Sequence, residues 1–241
     1  MQIKLENPVL MSKAVELASE LVTEVKFKLN SSGMSVIAID PANVAMVRFF
    51  LAKSAFSQFE VANEELGVNL DDLKKILKRP GAKSSLIFTK KENKLSIEIQ
   101  DRIKRNFELS LIELDKEDKE MPKLEFSSRI EMNSIDLIDA VEDCSVVADS
   151  CSFIVENEKF IIEARSLNSA RAEFSGDEAK IEAENCKSKY SLEYLQKFLK
   201  GAKLSEKTTL RFAQDHPLRM DIKTEGMELS FILAPRVETE E

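Results

Sequence analysis

The feature that most constrains this chain is that it writes one strand twice. Glu108-Leu109-Ser110-Leu111-Ile112 and Glu228-Leu229-Ser230-Phe231-Ile232 lie 120 residues apart. The echo extends backwards. Phe27, Leu29, Met34, Val36 and Ala38 match Phe153, Val155, Phe160, Ile162 and Ala164 at a shift of 126, and Leu73, Ile76, Leu77 and Lys78 match Leu195, Phe198, Leu199 and Lys200 at a shift of 122. Three matches in one order, drifting only as small loop deletions would make them drift, mean an internal repeat. The chain is read as two copies of one fold. Its 241 residues and 43% hydrophobic content suffice for a real core in each copy. The first copy is expected over residues 1–112 and the second over 125–241. Residues 113–124, with the charged "ELDKEDKEMPK", link them.

Each copy reads as short strands with two helices, an α+β fold of antiparallel sheets. "SVIAID", "SLIFTK", "KLSIEI", "SFIVEN", "FIIEAR" and "ARAEFS" often alternate apolar with polar, and many such runs are separated by turns such as Ser31-Ser32-Gly33 and Glu156-Asn157-Glu158. Four stretches have helical spacing. Asn7 and Pro8 open a helix with Leu10, Ala14, Leu17, Ala18 and Leu21 on one face. Leu73, Ile76 and Leu77 form a second stripe, stopped by Pro80-Gly81. Asn133 or Ser134 starts a third, and Ser191 a fourth that Gly201 is expected to end.

The sequence offers little for catalysis. His216 is the only histidine and reads as a surface residue in the turn "DHPLRM". There is no GxxxxGK[ST] or GxGxxG, and "GAKS" at Gly81–Ser84 lacks the preceding glycine of a phosphate loop. Cys144, Cys151 and Cys186 have no metal-site spacing and read as reduced core thiols. Acidic clusters such as Asp71-Asp72 and Glu238–Glu241 read as solvated charge. Neither an enzyme nor a cofactor or metal protein is expected. No secretory signal and no apolar run near ~18 residues is found, so neither export nor membrane insertion is expected.

Basic residues are more informative, although the net charge is −8. Lys74, Lys75 and Lys78 lie opposite the apolar stripe of the second helix. Lys197 and Lys200 do so on the fourth, with Lys187 and Lys189 just before it, and Lys13 lies off the apolar face of the first. A lysine recurring at equivalent positions of both repeats suggests a phosphate-facing surface. With little arginine and no interleaved aromatics, it suits sequence-blind backbone contact.

Together these features resemble the sliding clamps, specifically the proliferating cell nuclear antigen family in its archaeal form. "VIAIDPANVAMV", "LKKILKRPG", "YLQKFLKGAKLS" and "ELSFILAPRVETEE" carry the resemblance, which spans essentially the whole chain. It implies two similar domains per subunit and three subunits closed around duplex DNA, as a processivity factor for DNA polymerase. It further implies flap endonuclease, DNA ligase and an ATP-dependent clamp loader as partners. The location implied is a cytoplasm with its nucleoid, or a nucleus in a eukaryote. By this resemblance Lys13, Lys74, Lys75, Lys78, Lys197 and Lys200 face DNA. A partner peptide docks on Ile39, Val44, Met121, Pro122, Pro217, Ile232, Ala234 and Pro235. Subunits join through Arg105, Phe107 and Leu109 of one copy and Ala170, Ala172 and Phe174 of the next. The third helix departs from the pattern, with Asp136, Asp139, Glu142 and Asp143 where the family often places some basic residues. Two other readings remain: one subunit of a heterotrimeric clamp, or a two-domain adaptor that never encircles DNA.

Overall fold

A computed structural model describes residues 1–81, 83–114 and 119–237. The stretch 115–118 of the expected linker and the acidic end 238–241 lie outside the described residues. The chain divides into two compact units. The first is Met1–Pro41, Val47–Met121 and Glu225–Leu229; the second is Ala42–Met46, Pro122–Thr224 and Ser230–Glu241.

The first copy runs β1 (Gln2–Leu5), α1 (Val9–Ser19), β2 (Glu24–Asn30), β3 (Gly33–Ile39), β4 (Ala45–Ala52), β5 (Gln58–Glu60), β6 (Glu64–Asn69), α2 (Leu70–Leu77), β7 (Ser85–Lys91), β8 (Lys94–Gln100) and β9 (Arg105–Ser110). A 3-10 turn at Lys53–Ala55 interrupts it. The second runs β10 (Ser128–Asn133), α3 (Ser134–Val147), β11 (Ser150–Glu156), β12 (Lys159–Arg165), β13 (Ser169–Phe174), β14 (Ala179–Ala183), β15 (Cys186–Ser191), α4 (Leu192–Ala202), β16 (Lys207–Phe212), β17 (Leu218–Thr224) and β18 (Met227–Leu233). The order of elements is the same, and so is the pairing. Strands order as β5-β1-β7-β8-β9 and β4-β3-β2-β6 in one copy, and as β14-β10-β16-β17-β18 and β13-β12-β11-β15 in the other. Adding nine to each strand number of the first copy gives the second. The echo that opens the sequence is therefore β9 against β18.

Local chemistry explains the elements. Asn7 Oδ1 accepts the Val9 amide at 2.9 Å, Asn69 caps α2 through the Asp72 amide at 3.1 Å, and Asn133 caps α3 through the Ile135 amide at 3.2 Å. Strands bury alternate residues, as in Leu86 and Phe88 of β7 or Ile97 and Ile99 of β8. In the second copy Phe153 is a hub, with edge contacts to Phe160 (5.5 Å), Tyr190 (5.4 Å) and Phe212 (6.0 Å). The three cysteines are buried and form no disulfide.

Two expectations change. Gly201 does not end α4, which continues to Ala202; it is buried against β18. A Cβ there would meet the Phe231 ring at 3.1 Å and Ile222 Cδ1 at 3.3 Å, so the glycine lets the helix approach its sheet. Phe231 in turn stacks on Phe198 of α4 at 4.4 Å. His216 is half-buried rather than a surface residue. Its carbonyl accepts Tyr190 Oη at 2.7 Å and Ser188 Oγ at 3.0 Å, which draws the turn onto β15.

Candidate functional site

Helices α1 and α2 pack together in the first unit. Ser12 Oγ donates to the Leu77 carbonyl at 3.3 Å, and Lys74 Nζ donates to Ser19 Oγ at 2.9 Å. Lys74 thus ties one helix to the other and is half-buried. Lys13 pairs with Glu16 at 2.8 Å, and Lys75 with Asp72 at 2.9 Å. The Lys13 ammonium holds the Glu16 carboxyl below its usual range, with Lys74 and Lys78 contributing across the helix pair. The Glu16 carboxylate thus feels three lysines, Lys13 in contact and Lys74 and Lys78 through their fields, while Lys75 and Lys78 are exposed. In the second unit Lys200 is exposed on α4. Lys197 is half-buried, paired with Glu193 at 2.9 Å and set 4.8 Å above the Tyr194 ring. Lys13, Lys75 and Lys197 are held by short-range carboxylate pairs on solvated helix faces, where such pairing is weak.

The strands expected at the joint lie at sheet ends. Among the described residues β9 pairs only with β8, and β13 only with β12. Arg105 and Phe107 are half-buried and Leu109 is buried, on the face of β9 that α2 meets. Ala170 and Ala172 are half-buried and Phe174 buried on β13, which packs against α3. Each strand leaves a row of amide and carbonyl groups open to a partner strand.

The proposed peptide-docking residues divide between the units. In the first, Ile39 is half-buried and lines a cavity of about 90 Å³ with Val25, Ile37, Leu114 and Lys119. The chain reaches that cavity because Ile112 N–H donates to the Gly67 carbonyl at 3.0 Å. A Cβ on Gly67 would lie 2.0 Å from the Ile112 oxygen. Met121 is half-buried. In the second unit the Ala234 amide donates to the Val44 carbonyl at 2.8 Å. Val44, Pro217, Ala234 and Pro235 are half-buried, Pro122 is exposed, and Ile232 is only 7% exposed. Ile232, expected to line the pocket, is thus a buried core residue of β18. Phe126 meets the His216 ring edge-on at 5.7 Å, next to Pro217. His216 Nε2 is buried with no hydrogen-bond partner among the described residues.

Residues 1–119 match the family model "Proliferating cell nuclear antigen, N-terminal domain", and residues 120–237 match "Proliferating cell nuclear antigen, C-terminal domain". The chain belongs to the proliferating cell nuclear antigen (PCNA) family. It is 36% identical over 252 residues to the DNA polymerase sliding clamp of Pyrococcus horikoshii, with 98% of each chain covered. It is 38% identical over 239 residues to that of Thermococcus sibiricus, with 93% of each covered. The solved PCNA of Thermococcus kodakaraensis superposes with a TM-score of 0.90 at 25% identity, covering 98% of this chain and 99% of that one. Its fold is the two-domain PCNA fold, and its function is that of a sliding clamp.

For a PCNA, several useful residues escape sequence reading. Phe126 and His216 sit beside Pro217, and Leu114 beside Ile39, through contacts that no spacing announces. Gly67 has a signal, a lone glycine inside a strand, which marks close approach by other backbone. Lys74 looks like its neighbours in sequence, yet its partner is 55 residues away.

Proposed function

We propose that three copies of this chain close head-to-tail around duplex DNA and tether DNA polymerase to it. The observation that carries this reading is that β9 and β13, two of the strands that end a sheet, lie on different sheets of different units. A contact between unlike edges is heterologous, and repeated around an axis it closes a ring. The lysines of α1, α2 and α4 then supply weak, screened phosphate contacts. A ring holds DNA by topology and slides only if no sequence is gripped tightly. Partners such as a flap endonuclease and a DNA ligase dock a glutamine-containing motif with apolar-aromatic anchors on the patch around Ala234–Pro235 and the connector. An ATP-driven loader opens the ring onto closed DNA. Such a clamp works wherever the genome lies, which in an archaeal cell is the cytoplasm.

Light scattering on the purified chain tests the assembly. The expected mass is three times the 27.3 kDa of one chain. Ala172→Pro takes a donor from the β13 ladder and is expected to give monomers with the wild-type circular dichroism spectrum. A trimer from this variant would place the joint on other strands. A monomeric wild type would mean that closure requires a different chain.

A further inference from the structure

Next to the Ala234–Pro235 patch lies a basic cavity that the apolar anchors of a partner would not use. Strand β15 buries Cys186, Ser188 and Tyr190 on one face and turns Lys187 and Lys189 outwards on the other. Lys189 stands opposite Ser152 of β11 in register. The outer edge of β15 is occupied on both sides of this lysine pair. The Asp215 amide donates to the Lys187 carbonyl at 2.9 Å, and the Arg236 amide donates to the Lys189 carbonyl at 2.7 Å. These bonds raise two walls around the lysines and leave a cavity of about 310 Å³ lined by Ser152, Lys187, Lys189, Asp215, Pro235 and Arg236.

The lining carries Lys187, Lys189 and Arg236 against Asp215, and Arg236 is itself paired with Asp149, so cations outnumber carboxylates by one. Asp215 accepts Gln214 Nε2 at 2.7 Å, and Arg236 is fixed by Asp149 at 2.8 Å, so the rim is set by local bonds. The Arg236 guanidinium holds the Asp149 carboxyl below its ordinary range, which keeps that pair ionised at neutral pH. Pro235 belongs to the apolar patch and to this cavity alike. A peptide seated on Ala234–Pro235 and running on along the chain end must pass over the lysines. Its backbone finds the edge of β15 already bonded, so what it can offer there is a side chain. With the chain at −8 overall, a local excess of positive charge is a selective feature.

We infer that this cavity receives an acidic stretch of the partner peptide next to its apolar anchors, so that clamp clients with Asp or Glu in that flank are preferred. The inference rests on the partner-docking reading above. The apolar patch supplies a common anchor, and the basic cavity ranks the peptides that share it. Ranking by flanking charge also raises association rates, and salt weakens it.

The test uses the full chain and three synthetic peptides. All carry the same glutamine and apolar-aromatic anchors. One is flanked by Asp-Glu-Asp on the N-terminal side, one on the C-terminal side, and one by alanines. Fluorescence anisotropy at about 50 mM salt is expected to show one acidic peptide binding about five- to tenfold tighter than the neutral one. Lys187→Ala with Lys189→Ala, and separately Lys187→Glu, should erase that difference while leaving the neutral peptide within about twofold of wild type. Both variants are at outward positions, and unchanged thermal melting confirms that they fold. Equal affinity of all three peptides for the wild type overturns the acidic preference and spares the apolar patch. Equal loss for neutral and acidic peptides in the variants also overturns it, because the lysines would then act on the anchor. If no peptide binds the wild type, the docking reading falls and this inference falls with it.

Discussion

Replacing Lys75, Lys78 and Lys200 by alanine should flatten the salt dependence of DNA association without unfolding the chain. All three are exposed, and Lys75 pairs with Asp72, an i,i+3 neighbour whose side chain is 54% exposed. Losing such a solvated pair hardly touches stability. The electrostatic loss is larger. If each lysine meets one phosphate, the slope of log K against log salt falls by about 0.9 per contact, or about 2.7 for three. Over a fourfold rise in salt, wild type should then weaken about 40-fold more than the variant. Anisotropy of a labelled duplex, at protein concentrations where light scattering shows the same mass for both, reads this directly. Lys74→Ala is the contrasting control. It removes a hydrogen bond between α2 and α1 and should cost about 1 kcal/mol of stability with a smaller change in slope. An unchanged slope in the triple variant would show that these lysines are only solvated helix faces.

Met121→Asp with Ala234→Asp should abolish binding of a motif peptide while ring mass and DNA association persist; equal affinity in a titration would remove these residues from the pocket. Acid should destabilise the second unit through Glu163, whose carboxyl Arg165 and then Arg171 hold below its ordinary 4.5. A carboxyl depressed in the folded state stabilises above its unfolded value, and that contribution is lost as pH falls through its folded value. Melting temperature should therefore fall below about pH 4.5, and Arg171→Ala should shrink that fall; parallel pH profiles would show that Glu163 is not the sensor.

The duplication was legible because burial imposes the same periodicity wherever the same strand recurs. Phe27 and Phe153, or Leu73 and Leu195, face equivalent cores, and their spacing carries the whole topology with it. The start of the third helix was legible for the same local reason, since Asn133 bonds an amide two residues away, whereas the Asn69 cap of α2 went unread. Gly201 was misread because a glycine near a helix end looks like a cap. Only the approach of Phe231, thirty residues later, shows that it serves packing. His216 looked exposed because its turn is polar in sequence, while the hydroxyls that draw it in come from β15. The site residues were harder to read than the fold: docking patches are assembled from loops and strand ends that no periodic signal joins.

The acidic third helix sits awkwardly with a DNA-facing role, and the proposed joint offers it another place. Its outward stripe is Ile135, Asp139, Glu142 and Val146, at i, i+4, i+7 and i+11, with Ile135 64% and Val146 83% exposed. Apolar ends around an acidic centre suit contact with protein better than contact with phosphate. Helix α3 packs on β13 and α2 on β9, the two edge strands proposed to meet at the joint. Pairing β9 with β13 of the next copy would set α3 beside the corner where Arg105 donates to the Arg79 carbonyl at 3.3 Å and pairs with Asp101, with the Arg79 side chain exposed next to them. The carboxylates would then meet guanidiniums across the joint, and DNA contact would fall to α1, α2 and α4. Asp139→Lys with Glu142→Lys puts cations against that corner and should make the ring dissociate at concentrations about tenfold higher than wild type, a shift of about 1.4 kcal/mol. If dilution splits both rings at the same concentration, α3 lies away from the joint and its charge needs another explanation.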